Sequence, residues 1–333
     1  MIITPDFLIS FETALKGLVT GNWDRVHNNL MWDKVMKPYP VEGKVEIFTW
    51  LLESAIIRPE GNGGNKRFDD LAAATTQLEV FNFGSGLRLT KNEIEDNQLK
   101  DNPSVGALDY ARKWASDIGS SSAYFPQSQL FALIAAGTST GIAYDGLSFF
   151  NTAHPLNPLG GAAVYSNITT GVPLVVSGGS TEQDNLIVSR RNLGKALAGI
   201  RQQRFINGVP RFLKPKALYV PTTLADQAIT LVAAQFIAQT ENTIDSANQG
   251  NRLEVVVCAE LDNEPSVYYI GVEDTLSDEL GAFMFADREK FSMTTYGPMD
   301  DAVLQRQKMF EWSMDGRAGT MYGHPYLFYR CTP

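Results

Sequence analysis

Cysteine and histidine are scarce in this chain of 333 residues, with two of the first and three of the second. Cys258 and Cys331 lie far apart and form neither a redox pair nor a metal-ligand spacing, so they read as free thiols of a reducing compartment. His27, His154 and His324 show no His-x-x-x-His spacing, and the acidic pairs do not fit a calcium loop, so no metal and no cofactor is expected. No apolar run approaches the ~18 residues a membrane helix needs, and Met1 to Asp6 lack the basic start and apolar core of a secretory leader. Phosphate-loop, dinucleotide and nucleophile-elbow motifs are missing. With Lys and Arg at 28 against Asp and Glu at 37, the net charge of −9 gives no overall basic footprint for nucleic acid.

What is present is an ordinary globular composition, 44% hydrophobic and 20% charged. Up to Glu42 the apolar residues are sparse and without sustained period, so this stretch reads as an arm. Its Trp23 and Trp32 are candidates for burial against a neighbour, since interfaces are rich in Trp; packing on their own domain is the equal alternative. From Lys44 to Ile57 β-branched and aromatic residues predominate, then Arg58 to Asn65 breaks the run and Gln77 to Phe83 resumes it. Strand, glycine-rich tip and returning strand make a long hairpin. A lone hairpin cannot bury both faces, which makes Arg58, Glu60, Lys66, Arg67, Asp69 and Asp70 candidate inter-subunit contacts.

Thr90-Lys91-Asn92-Glu93 has the capping-box pattern of a helix start. A second helix is expected after Pro103, with Val105, Leu108, Ala111, Ala115 and Ile118 on one stripe, kinked or broken at Pro126 and stopped at Gly137. Residues 143–179 read as an extended loop and 184–203 as helix. Ala217 to Val220 reads as a buried strand, followed by a helix capped by Thr222 or Thr223. Further strands are expected at 254–259, 266–272, 282–286 and 291–296, and the tail from Lys308 to Cys331 resembles a long strand pair. Helices and strands mix without βαβ repetition, which argues α+β.

One arrangement could carry chemistry. Asp145 and His154, with Ser148 nearby, offer a general-base pair and a nucleophile. Without a nucleophile elbow, Asp145-Gly146 reads more simply as a tight turn.

Three blocks, Tyr144-Asp145-Gly146-Leu147-Ser148-Phe149-Phe150-Asn151-Thr152-Ala153-His154-Pro155, Leu213-Lys214-Pro215 to Leu224, and Arg252-Leu253-Glu254-Val255-Val256-Val257, resemble in order and spacing the major head subunit family of phage Mu and its prophage relatives. Ile94 to Asn97, Pro126 and Asp315-Gly316-Arg317-Ala318-Gly319 extend the similarity. Residues 156–180 match poorly, and the run Tyr326-Leu327-Phe328-Tyr329 lacks the tryptophan expected there.

The resemblance implies a Hong Kong 97-type capsid fold with an N-terminal arm (1–42), an extended loop (43–86), a peripheral domain on a spine helix (87–181), an axial domain (182–275) and return strands (276–333). It also implies a structural protein and not an enzyme, whose hexamers and pentamers close into an icosahedral head in the virion after assembly in the host cytoplasm. Implied partners are a scaffold protein, a portal, a decoration protein and packaged DNA held without sequence-specific contacts; no membrane is involved. The acidic charge suits a wall that encloses DNA. Deleting Glu60 to Phe68 is then expected to leave a soluble chain that cannot close shells. Two competing readings are an encapsulin-type nanocompartment and a hydrolase using Asp145 and His154.

Overall fold

The computed structural model describes residues 5–51, 73–90, 92–93, 107–158, 160–233, 253–274, 281–296 and 308–333. Two sheets carry the architecture. The first has four strands in the order β1 (Met36–Tyr39), β11 (Phe283–Tyr296), β12 (Met309–Tyr322) and β4 (Phe81–Thr90). Here β1 runs parallel to β11 and the other pairs are antiparallel. The second has five strands in the order β7 (Ile168–Thr169), β13 (Phe328–Cys331), β10 (Tyr268–Asp274), β8 (Leu213–Val220) and β9 (Glu254–Val257).

The expected hairpin is there as β2 (Val45–Leu51) and β3 (Ala73–Glu79), antiparallel with Val45 opposite Glu79 and Leu51 opposite Ala73. A smaller hairpin joins β5 (His154–Pro155) to β6 (Val164–Tyr165) within the expected loop. The tail is not a strand pair. β12 belongs to the first sheet and β13 to the second, so the chain crosses between sheets through a short 3-10 turn at Pro325–Leu327. Likewise 282–286 and 291–296 are one strand, β11, whose register with β12 shifts between Asp287 and Ser292. The irregularity at the charged run Arg288-Glu289-Lys290 is what makes one strand look like two. β8 passes through Pro215, tolerated because its register with β10 also shifts there, between Gly271 and Val272.

Residues 5–27, read from the sequence as an arm without sustained period, are helical. They form helix α1 (Pro5–His27), whose Phe11, Leu15 and Val19 are buried against helix α2 (Ala107–Ala136) and strands β4 and β12. These residues stand four apart, a single helical stripe that Gly17 and Gly21 obscure in the sequence. On α2 the facing residues are Ala111 and Ala115, both fully buried. Gly119 completes the ridge: a Cβ there would fall 2.5 Å from the carbonyl oxygen of Val19. Small residues at four-residue spacing let the two backbones close on each other.

Helix α2 is the expected long helix, and it runs through Pro126 without a break. Proline there removes one internal hydrogen bond, and packing on both sides holds the helix together. Gly137 follows its last residue, and its N–H donates to the carbonyls of Leu133 and Ile134. The capping box is formed, with Thr90 N–H donating to Glu93 at 2.8 Å and Glu93 N–H to Thr90 Oγ1 at 3.3 Å. Helix α3 (Glu182–Arg201) carries a second one from Thr181 and Asp184. Thr222 and Thr223 do not cap helix α4 (Ala225–Ala233): their hydroxyls donate instead to Asp262 and to the carbonyl of Pro265, each at 2.7 Å.

Candidate assembly surface

The hairpin β2–β3 is built asymmetrically. Its inward residues Phe48, Trp50 and Leu78, with Val80 just beyond, pack on Met284, Ala286 and Met321 of the first sheet. Trp50 is fully buried; its indole N–H donates to Thr76 Oγ1 across the hairpin at 2.7 Å, and its ring meets His324 edge-on at 4.5 Å. At Gly319 of β12 a Cβ would stand 2.4 Å from the carbonyl of Glu79, so only glycine lets β12 come this close to the end of the hairpin. The alternate residues face out. Ile47 is 64% and Val45 48% exposed, and Phe81, just past the hairpin, is 54% exposed. One face is anchored; the other, uncovered among the described residues, carries Val45 and Ile47 beside Thr49, Thr75, Gln77 and Glu79.

The residues singled out from sequence fall in different places. Arg58, Glu60, Lys66, Arg67, Asp69 and Asp70 lie outside the described residues. Trp32 is buried in its own chain, 5.5 Å from the Phe285 ring, so little of it is left for a neighbour. Trp23 is half-buried, stacked on His27 at 4.3 Å. Both line a cavity of about 540 Å³ between α1, α2 and β11, where Pro126 also sits.

The Asp145/His154 pair is formed but closed. His154 Nδ1 lies 2.5 Å from Asp145 Oδ2, and neither side chain has any exposed surface. The other ring nitrogen faces the Phe149 carbonyl at 3.0 Å, and the ring stacks on Tyr165. Asp145 Oδ1 accepts from Leu147 N–H at 3.1 Å, the turn contact read from Asp145-Gly146. With both ring nitrogens engaged and neither side chain exposed, the pair fastens the loop. Asn167, fully buried beside it, accepts from Asn151 N–H and donates to Phe149, Pro325 and Phe328 carbonyls. No sequence signal marked Asn167, one polar residue in a loop full of them.

Polar links join the two sheets through α2. The carboxylate of Glu260, in the turn after β9, accepts from Tyr124 at 2.9 Å and from Gln127 at 2.6 Å, and Gln127 accepts from Met31 N–H at 3.1 Å. Burial beside Glu260 pushes the Tyr124 hydroxyl up to about 12. Cys258 and Cys331 are free and buried, and burial pushes both thiols up to about 12, out of the reactive range. Among the described residues no cluster of His, Cys, Asp or Glu could hold a metal, and no helix is long and apolar enough to cross a membrane.

The family of the Mu-like prophage major head subunit gpT matches residues 13–175, which take in most of α1, the hairpin, α2 and the Asp145/His154 loop. Just under half of the chain thus matches the Mu-like major head subunits. Solved phage shells share its fold. The capsid of bacteriophage JBD30 matches at 21% identity and a TM-score of 0.50, over 70% of this chain and 91% of that one. The capsid of cyanophage P-SCSP1u matches at 10% identity and a TM-score of 0.55, over 91% and 87%. No curated protein matches the sequence. The chain is thus α+β with the Hong Kong 97-type capsid fold, as the resemblance read in the sequence implies.

Proposed function

We propose that this chain is a head subunit that tiles a closed icosahedral shell as pentamers and hexamers, with the outward face of the β2–β3 hairpin laid on a neighbouring copy. One observation carries the reading: the hairpin's inner face is locked to the body through Trp50 while Ile47 and Val45 stay exposed. Exposed Val45 and Ile47 on an anchored hairpin gain stability when a neighbour covers them. Shell geometry asks one chain to repeat its contacts around five-fold and six-fold axes, so a stiff body must carry a projecting limb. On this reading residues 1–42 form the arm, 43–86 the extended loop, 87–181 with 276–333 the peripheral domain, and 182–275 the axial domain. Arm helix α1 is docked on the spine helix α2, and the hairpin forms the root of the extended loop. Its role is structural and not enzymatic, its place the virion, and its partners further copies, a scaffold protein, a portal, a decoration protein and packaged DNA, assembled in the host cytoplasm.

The test is Val45→Asp with Ile47→Asp. Both residues face outward, so the variant chain is expected to fold with unchanged circular dichroism and to yield no closed particles by electron microscopy. Normal shells from the double variant would refute the proposed contact.

A further inference from the structure

Residues 185–225 hold eight Lys and Arg and no Asp or Glu, in a chain whose total charge is −9. Helix α3 presents the first part of this tract. Its inward residues Leu193, Ala196 and Ile200 are buried in the main core. Its outward face shows Arg191, Lys195 and Arg201, with Arg190 half-exposed at the side and Arg204 exposed just past the helix end. Among the described residues no carboxylate lies within salt-bridge distance of any of the five. Between the cations the face is bare, with Gly194, Ala198 and Gly199 exposed. A Cβ added at either glycine would meet nothing within 4 Å. Each exposed helix glycine costs roughly 1 kcal/mol relative to alanine, and nothing among the described residues needs the space.

We infer that this face of α3 is a docking surface for the phosphate backbone of duplex DNA, a contact that adds to the shell-forming role proposed above and rests on it. Arg191 and Arg201 stand about 15 Å apart along the helix axis, and duplex DNA carries one charge per ~1.7 Å, so several phosphates come within reach of the row. The bare glycine backbone lets the strand approach between the cations. The helix dipole accounts for Arg201, in the last turn, but its effect fades before Lys195 and Arg191. Sequence selectivity is not implied, because phosphate contacts position a duplex without reading its bases.

The test uses the full-length chain held unassembled, with fluorescence anisotropy on a labelled duplex of about 24 base pairs at 50 and 200 mM salt. Wild type is expected to bind, and to lose affinity steeply with salt. Arg191→Gln with Lys195→Gln and Arg201→Gln should cut affinity at least tenfold at 50 mM and flatten the salt slope by nearly one per cation removed. A control that removes cations elsewhere, Lys16→Gln with Arg88→Gln and Lys113→Gln, should leave binding near wild type. Three results overturn the inference: no binding by wild type at 50 mM, equal losses in both triple variants, or unchanged DNA binding in the α3 variant together with failure to form shells. The last would assign the face to another copy of the chain. Because the titration is done on unassembled chains, it reads the DNA contact separately from the assembly role, which the hairpin variant tests.

Discussion

His324 is expected to make the chain lose stability in mild acid. Its ring is buried, stacked on Tyr326 at 4.6 Å, edge-on to Trp50 at 4.5 Å and to Tyr144 at 5.8 Å, and its Nδ1 has no hydrogen-bond partner. Burial first, and then the Arg211 guanidinium, push its pKa down to about 3 from an ordinary 6.5. The neutral ring is therefore the folded form. Below pH 6.5 the unfolded chain takes up a proton that the folded chain refuses, so stability from this group is complete above about 6.5 and drains away as pH falls toward 3. The slope is a little over 1 kcal/mol per pH unit. Over the whole window this reaches on the order of 5 kcal/mol, the size of a modest domain's entire stability.

The measurement is urea unfolding of wild type and His324→Phe at pH 7.5, 6, 5 and 4. Phenylalanine keeps a flat ring between Trp50 and Tyr326 and cannot take a proton. Carboxylates titrate alike in both chains, so their share cancels in the difference. The stability of wild type relative to the variant should fall by about 3 kcal/mol between pH 7.5 and 4. A difference that stays constant with pH would show that the buried ring does not resist protonation, and the reasoning would fail.

Trp50→Ala should destabilise the chain by about 3–5 kcal/mol in denaturant unfolding, the range for deleting a buried Trp, and should speed proteolytic cutting in the hairpin. Gly119→Leu should lower the melting temperature because its side chain must enter the space of the Val19 carbonyl; overpacking of this kind costs about 1–3 kcal/mol or more. Asn167→Ala leaves the Phe149, Pro325 and Phe328 carbonyls short of a donor, so a loss of about 2–4 kcal/mol is expected, with the circular dichroism at neutral pH unchanged. Neither Cys258 nor Cys331 should react with a water-soluble thiol reagent until the chain unfolds, since both are buried with raised pKa values.

Elements with a strong period or a punctuating residue were legible in the sequence. The hairpin shows because Val45 to Trp50 alternates and glycines break the run, and α2 shows because its small apolar residues recur at helical spacing. Helix α1 was hidden: its stripe is only Phe11, Leu15 and Val19, interrupted by glycines and followed by two tryptophans that look like loose anchors. What buries that stripe are residues of β4, α2 and β12, from about 70 to about 300 residues away, and no local pattern reports them. The tail was misread because strand signals do not say which sheet a strand joins. Of the assembly surface, the sequence placed the hairpin and its exposed character, whereas the split into an anchored and an uncovered face follows from which side meets Met284 and Met321. The Asp145/His154 pair was visible as two residues of a catalytic kind, and only burial distinguishes a fastening from a site.

The same contacts brace the two sheets against each other. α2 touches both sheets: Gln127 and Tyr124 hold Glu260 beside β9, Tyr322 of β12 donates to the Leu133 carbonyl at 2.8 Å, and Lys34, just before β1, pairs with Glu254 of β9 at 2.5 Å. Asn167 adds a buried tie between the β5–β7 loop and the segment that crosses from β12 to β13. Surface pairs such as Lys34–Glu254 contribute little on their own, but the buried hydrogen bonds leave donors or acceptors stranded if the sheets move apart. Bending between the sheets is therefore costly, and in the proposed shell any adjustment to five-fold and six-fold surroundings would fall on parts that lie outside this bracing. Among the described residues, the hairpin packs on the first sheet through Phe48, Trp50 and Leu78, and nothing covers the basic face of α3. Weakening the brace with Gln127→Ala should leave the hairpin's contact chemistry intact and yield shells of irregular size by electron microscopy; uniform particles from that variant would mean that the body's stiffness does not set the curvature.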